Sequence, residues 1–383
     1  MRFGIIDMEM ATAHFAVPLA ALAQATGVDV AKYHLGLRQE FFSFPAPDED
    51  AVTLAATAAS RLLQRTGSEG VRTLILATES GVDQSKSAGI FVQDLLGLGP
   101  GLRVVELKQA CYAGTAALQL ALGLVARDAR ERVLVIASDV ARYALDSAGE
   151  PTQGAGAVAM LVGSDPALLE IEPVSGLWSA HIDDFWRPNS RDTPLVDGAV
   201  SLQAYLDAFV GAWQDYSARG GAEIGEIARF VHHQPFTKMA LKAQQRLREH
   251  TGVDFDDAAV VEPSLKYTPQ IGNSYTASMY LGLLSLLHHD ADLSGKRVGL
   301  FSYGSGAIGE FFTAIVQPDY REIVRPEVAT QALTSREIVD YAQYRKLYKA
   351  QQITGADFDT PHVTKAPFRF AGIKNGARYY SAV

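Results

Sequence analysis

The stretch LRVVELKQACYAGTAALQLALGLVARDARERVLVIASD, residues 102–139, reads as strand, helix, strand. Residues 102–107 and 132–139 are short runs of β-branched and apolar residues with the length of buried strands. Between them, TAALQLALGLVARD (115–128) is dominated by Ala and Leu, which are strong helix formers. VRTLILAT (71–78) and AVAMLVG (157–163) have the same character as the flanking strands. Buried strands that alternate with apolar helices predict an α/β architecture whose helices cover both faces of its sheets.

The pattern returns later in the chain. RVLVIASD followed by GAGAVAMLVG (154–163) is echoed by KRVGLFSYGSGAIGEFFTAIV (296–316), again a strand, a Gly-x-Gly turn and an apolar run. A duplicated core is the expectation, with Asp183 to Gly198 as a structured connection between halves. After Pro318 charged helix formers dominate, and the terminal PFRFAGIKNGARYYSAV reads as a packed extension.

With 383 residues, 48% of them hydrophobic, the chain can bury a large core. A net charge of −9 argues against a protein that binds nucleic acid or an anionic membrane through its overall field, so an anionic substrate must meet a local basic patch. MRFGIIDMEM carries acids where a signal peptide is apolar, and no uninterrupted apolar run approaches the ~20 residues of a membrane span. Cys111 is the single cysteine, so no intrachain disulfide can form, and a cytoplasmic location is expected.

Cys111 lies where a strand gives way to the helix, near a helix N-terminus. Unpaired amides there stabilise a thiolate, so the expectation is a cysteine nucleophilic near neutral pH. Its own amide, with one from the turn Tyr303-Gly304-Ser305-Gly306, can bind a thioester oxyanion. Glu79 ends the strand-like run ILATES, where partial desolvation raises a carboxyl pKa and suits it to take a proton from carbon. His232 and His233 end another apolar strand before a proline and face opposite ways if that strand alternates. No ligand cluster with metal spacing accompanies them. His288 and His289, beside Asp290 at a helix end, read as serving the helix dipole. A solvated or core role is the ordinary alternative for each of these residues taken singly.

Taken together the residues resemble the bacterial 3-hydroxy-3-methylglutaryl-CoA (HMG-CoA) synthases of the thiolase superfamily. The resemblance runs in order through VDVAKYHLGL (28–37), ATESGVDQSKSA (77–88), ELKQACYAGTAALQ (106–119), VIASDVARY (135–143), GEPTQGAGAVAML (149–161), DFWRP (184–188), HQPFTKM (233–239), IGNSYTASMYLGL (271–283) and FSYGSGAIGEFF (301–312). It implies a thiolase-like α/β fold of duplicated halves in αβαβα layers, residues 1–165 and 166–383, assembled as a homodimer. It implies an acyltransferase of the mevalonate pathway of isoprenoid biosynthesis, joining acetyl-CoA to acetoacetyl-CoA with no cofactor beyond these substrates and no metal.

The same resemblance makes Cys111 the acetyl carrier, Glu79 the base and His233 the group that positions the second carbonyl. Asp29 and Lys32 are implied near CoA, Thr152 and Ser201 around the acyl group, Asn273 and Ser305 beside the reacting thioester. Lys238 and Lys242, four apart on an expected helix, suit CoA phosphates. Tyr143, Phe185 and Tyr205 are candidate pocket walls. Ala148 departs from the animal members, which carry Asn there. A thiolase fails on inventory because it needs a second cysteine, and Glu79 disfavours a decarboxylating ketoacyl synthase. A polyketide β-branching HMG synthase, acting on acyl groups held by an acyl carrier protein, remains the alternative.

Overall fold

The computed structural model describes residues 1–350 and 356–383. Nine strands build the main sheet: β1 (Phe3–Thr12), β2 (Val71–Ala77), β3 (Arg103–Leu107), β4 (Arg132–Ala141), β5 (Gly154–Ser164), β6 (Leu169–Ser179), β7 (Ile227–His232), β8 (Arg297–Gly304) and β9 (Ile308–Val316). Their spatial order is β7-β8-β9-β6-β1-β5-β4-β2-β3.

The duplication is visible in the strand senses. Strand β1 pairs antiparallel with β5, β5 antiparallel with β4, and β4 parallel with β2. In the same way β6 pairs antiparallel with β9, β9 antiparallel with β8, and β8 parallel with β7. The first set has one strand more, β3, parallel to β2. The two sets meet through a short antiparallel contact, Gly4 opposite Glu170 and Ile5 opposite Leu169. A Cβ on Gly4 would stand 1.9 Å from the Leu169 carbonyl oxygen, so this junction admits only glycine.

Alternation along each strand sorts side chains into layers. Ile75, Ala77, Val133, Val135 and Ala137 face one way, into a core shared with Val231, Val298, Leu300 and Phe312 of the second set. Two helices fill that central space, α3 (Ala113–Arg127) and α6 (Ser278–His289). Leu74, Leu76, Leu134 and Ile136 face outward and are covered by α1 (Ala51–Thr66) and α2 (Ala88–Leu95). Phe230, Phe301, Tyr303 and Phe311 face outward on the other side, under α4 (Gly198–Ala218) and α5 (Lys238–Thr251). The result is the expected αβαβα sandwich. The stretch Ala110–Arg127, which contains α3, is long and apolar enough to cross a membrane, yet Ala113, Ala117, Leu118, Ala121 and Val125 are buried in the central layer between the two strand sets, while Leu120 is exposed.

The C-terminal extension is packed, as its composition suggests. Asp50 caps α1 by accepting from the Val52 and Thr53 amides, and also takes Arg378 and the Tyr380 hydroxyl. Two expectations are corrected. Gly154 and Gly156 lie inside β5 rather than in a turn, and a Cβ on Gly154 would sit 2.5 Å from the carbonyls of Ile271 and Asn273. His288 does not serve the helix dipole as a cation: it is largely enclosed, bonds the Tyr267 hydroxyl through Nδ1 at 2.5 Å, and burial lowers its pKa to about 4. His289 bonds the Ser285 carbonyl of its own helix at 2.8 Å.

Candidate active site

Strand β2 ends at Ala77, and the chain turns so that Glu79 projects beyond the sheet edge. The next strand, β3, leads through residues 108–112 into α3, which places Cys111 just before the helix. Because β2 and β3 are parallel neighbours, both residues emerge at the same end of the sheet. The Cys111 Sγ donates to Glu79 Oε1 at 3.1 Å.

This neighbour overturns one expectation. The helix end does not leave Cys111 as a ready thiolate: burial and the Glu79 carboxylate push the thiol pKa well up. Glu79 is itself raised to about 8, chiefly by burial and then by the negative charge of Asp139. The pair is therefore a neutral thiol facing a carboxyl group that still holds much of its own proton at neutral pH, so the thiol proton passes to the ionised fraction of Glu79, which grows as pH approaches about 8.

Asp139 was not singled out from sequence, although it closes RVLVIASD as Glu79 closes its own strand. It is fully buried. One oxygen accepts from the Thr78 hydroxyl, the Glu79 and Ser80 amides and the Ser80 hydroxyl at 2.8–2.9 Å. The other accepts from the Thr276 amide and hydroxyl at 3.0 and 2.5 Å. Asp139 thus ties the Glu79 loop to the loop before α6.

That second loop brings Asn273 to the site. Asn273 Oδ1 accepts from the Tyr275 amide at 2.9 Å, and Tyr275 holds a left-handed backbone with φ 43°. Ala110, before the cysteine, is also left-handed at φ 46°. Non-glycine residues in this region cost of order 1–3 kcal/mol and persist only where surrounding contacts over-determine them. Tyr143, Tyr275 and Phe185 meet edge to face at 5.8–6.3 Å and pack with Cys111. Burial pushes the Tyr143 hydroxyl pKa up, and the nearby Asn273 and Thr152 side chains oppose that rise. Asn273 is further held by its amide on the Thr152 carbonyl at 3.0 Å.

The second half supplies the opposite side. The β8–β9 turn carrying Ser305 lies against the cysteine loop, with Gln109 Nε2 on the Ser305 carbonyl at 3.4 Å. The Gly306 amide is taken by Asp184 at 2.9 Å, and the Tyr303 hydroxyl by the same carboxylate at 2.7 Å. Within that turn, the Gly306 amide therefore already has a partner. The Asp184 backbone carbonyl accepts the Asp197 amide at the start of α4, whose first turn contains Ser201. Arg187 donates to the Glu79 carbonyl.

His232 and His233 do point to different neighbours. His232 bonds Gln244 on α5 at 3.0 Å. His233 is buried beside Tyr205, ring centroids 6.4 Å apart, and the Tyr205 hydroxyl donates to its carbonyl at 2.7 Å. Burial lowers the His233 pKa to about 3, so the ring is neutral. Tyr205 packs with Phe301 and Tyr303 rather than joining the Tyr143 wall.

A cavity of about 630 Å³ opens beside these loops, lined by Lys32, Tyr33, Leu37, Ala148, Glu150 and Pro151 among others. Its lining residue Pro151 immediately precedes Thr152 in the chain. Asp29 is exposed and accepts the Ala31 amide at 2.9 Å. Lys238 reaches the Leu35 carbonyl at 3.3 Å from the start of α5, and Lys242 lies one turn on, 5.8 Å from the Phe236 ring. Lys32 within the 29–37 segment and Lys238 bonded to it therefore bring two basic side chains to this region, although the molecule as a whole is acidic. Among the described residues no group of three or more His, Cys, Asp and Glu comes together as a metal cage.

The chain matches the model described as hydroxymethylglutaryl-coenzyme A synthase N terminal over residues 1–167, and its C-terminal counterpart over residues 169–257 and 249–356. It is 37% identical to a hydroxymethylglutaryl-CoA synthase of Enterococcus faecalis, covering 99% of this chain and 100% of that one. It is 32% identical to the polyketide biosynthesis 3-hydroxy-3-methylglutaryl-ACP synthase PksG of Bacillus subtilis, covering 86% and 83%. A crystal structure of an HMG-CoA synthase complexed with CoA superposes with a TM-score of 0.95 at 37% identity, covering both chains in full.

Proposed function

The chain belongs to the hydroxymethylglutaryl-CoA synthase family, and we propose that it condenses acetyl-CoA with acetoacetyl-CoA and water to give HMG-CoA and CoA, with Cys111 as the acetyl carrier. It is an acyl-transferring condensing enzyme of thiolase-like fold. The observation that carries the mechanism is the 3.1 Å contact between Cys111 Sγ and Glu79 Oε1.

In the first step the thiol proton passes to Glu79 as sulfur attacks the acetyl-CoA carbonyl, and CoA departs with that proton. The ionised Glu79 then takes a proton from the methyl of the acetyl-cysteine, which the thioester has acidified. The resulting carbon nucleophile attacks the ketone carbon of acetoacetyl-CoA, whose oxygen accepts a hydrogen bond from neutral His233 and, as the alkoxide forms, takes the proton that Glu79 removed from the methyl, which leaves Glu79 ionised again. Water cleaves the cysteine thioester, releasing HMG-CoA and restoring the thiol. Holding both acyl groups in one pocket makes the carbon–carbon step effectively intramolecular.

In this reading residues 1–165 supply nucleophile and base, and residues 166–383 supply His233, part of the CoA contacts and the packed extension. Lys32, Lys238 and Lys242 serve the CoA phosphates, Asp29 shapes the entrance, and Tyr143, Thr152, Ser201, Tyr205, Asn273 and Ser305 surround the acyl groups. The enzyme works as a cytoplasmic homodimer on the mevalonate route to isoprenoids. CoA thioesters are its substrates, and no further cofactor is needed.

Intact-protein mass spectrometry after brief exposure to acetyl-CoA, or separately to an acetylated carrier protein, tests this function. Labelling from acetyl-CoA is expected in wild type and absent in Cys111→Ala. Glu79→Ala should still label, more slowly, and form no HMG-CoA when acetoacetyl-CoA follows. Labelling only from the carrier would move the assignment to the β-branching synthases that PksG represents, and no labelling from either source would end the covalent mechanism.

A further inference from the structure

We propose that Glu310, on β9, is a positioning residue for the nucleophile: its carboxylate fixes the helix start that carries Cys111 from across the boundary between the two halves. The proposal rests on Cys111 being the acyl carrier. Tyr112 directly follows Cys111, and its hydroxyl donates to Glu310 Oε2 at 2.7 Å. Gln119, further along the same helix, donates through Nε2 to the other oxygen at 2.8 Å. The two donors are seven residues apart, about two helical turns, and so share one face of α3. One carboxylate grips the start of the nucleophile helix at two points.

Glu310 is a firm anchor. It is 2% exposed and is the third residue of β9, opposite Ser302 of β8 and Leu177 of β6. A buried carboxylate bonded through both oxygens resists displacement, since moving it strands buried donors. The same hairpin also meets the cysteine loop through its backbone. A Cβ on Gly304 would lie 2.6 Å from the Gln109 carbonyl oxygen and 2.7 Å from the Tyr112 amide nitrogen. The Tyr112 amide closes back on the Gln109 carbonyl at 3.2 Å, around left-handed Ala110. Residues 109–111 are thus confined between the Gly304 contact and the Tyr112 anchor. Glu310 touches none of the reacting atoms and acts through Tyr112. The distance from Cys111 Sγ to Glu79, both in the first half, is in this way set partly by a strand of the second.

The test compares Glu310→Gln, Glu310→Leu, Tyr112→Phe and the double variant Glu310→Gln/Tyr112→Phe with wild type. Three quantities are read: the rate of Cys111 acetylation by acetyl-CoA, followed by rapid quench and intact mass, the KM for acetyl-CoA, and the melting temperature. Glu310→Gln keeps the shape, but one carboxylate oxygen becomes an amide nitrogen that can meet the Tyr112 hydroxyl only as a donor, and the charge-assisted bond is lost. It should slow acetylation roughly fivefold to tenfold with KM within about twofold of wild type. Tyr112→Phe should behave similarly, and the double variant should be no slower than the slower single one, because both changes cut one link. Glu310→Leu should be slower still and melt lower. Wild-type acetylation by Glu310→Gln, additive losses in the double variant, or a loss confined to KM would overturn the inference while leaving the acyl-enzyme intact. If wild type itself takes no acetyl group, the inference falls together with the proposed function.

Discussion

Cys111 Sγ and Glu79 Oε1 stand 3.1 Å apart at the ends of two neighbouring parallel strands, so the only thiol in the chain is hydrogen-bonded to a carboxyl group raised to about 8. Neither group is an independent acid. Their titration belongs to the pair, and Asp139 behind them adds a further negative charge.

The pair predicts a pH-dependent stability. Between the ordinary Glu value of 4.5 and about 8, folded Glu79 keeps a proton that the unfolded chain has released. Folding stability from this group therefore falls as pH rises through that window. Glu79→Gln removes the dependence, so its melting temperature should exceed wild type by a margin that grows from about pH 5 to about pH 8 and then levels off. A margin independent of pH, measured by calorimetry, would contradict the assignment.

Asp139→Asn should act on stability and on the base together. The amide keeps one acceptor oxygen for donors now shared between two, and each buried donor left unpaired costs ~1–3 kcal/mol. The melting temperature should drop accordingly. Removing the charge also lowers the Glu79 pKa, because Asp139 is one of its two raising causes. The acidic limb of the pH–rate profile should move to lower pH, and an unmoved limb would mean that Asp139 does not act on Glu79.

His233 should remain neutral well into acid. Burial lowers its pKa to about 3, whereas the unfolded chain protonates near 6.5. Nitrogen NMR of ring-labelled protein at about pH 5 should show a neutral imidazole. The corresponding stability is present above 6.5 and is lost as pH falls toward 3. An imidazolium signal at that pH would exclude the neutral hydrogen-bond role given to His233.

Gly304→Ala tests the contact between the halves at the nucleophile. Its Cβ would press on the Gln109 carbonyl and the Tyr112 backbone at 2.6–2.7 Å, where no flexible side-chain end can yield. Overpacking of this kind costs ~1–3 kcal/mol, and the displaced loop should lose most of its acetylation rate. Near-normal acetylation would show that the cysteine loop tolerates the shift.

Much of the site was legible because strands and helices announce their ends. ILATES and ELKQACYAG each show a buried run stopping at a residue with reactive chemistry, and the structure carries both to one edge. Asp139 closes the equally clear run RVLVIASD, two residues before β4 ends, and was passed over. Its importance lies in Thr276, 137 residues away, which no local pattern connects to it. The expected thiolate failed for a related reason: a helix start is visible in sequence, but the carboxylate opposite it is not.

The sequence by itself determined the alternation of buried strands and apolar helices, the repeat of that alternation, and the single available thiol, because these depend on local period, length and inventory. Only the tertiary structure decided how the halves meet. Gly4 lets β1 and β6 approach, α3 and α6 share one central layer, and Glu310 of the second half bonds the helix that bears the nucleophile of the first. Burial, opposing charge and hydrogen bonds between distant residues set the protonation of Cys111, Glu79 and His233, and these arise only when the chain is folded.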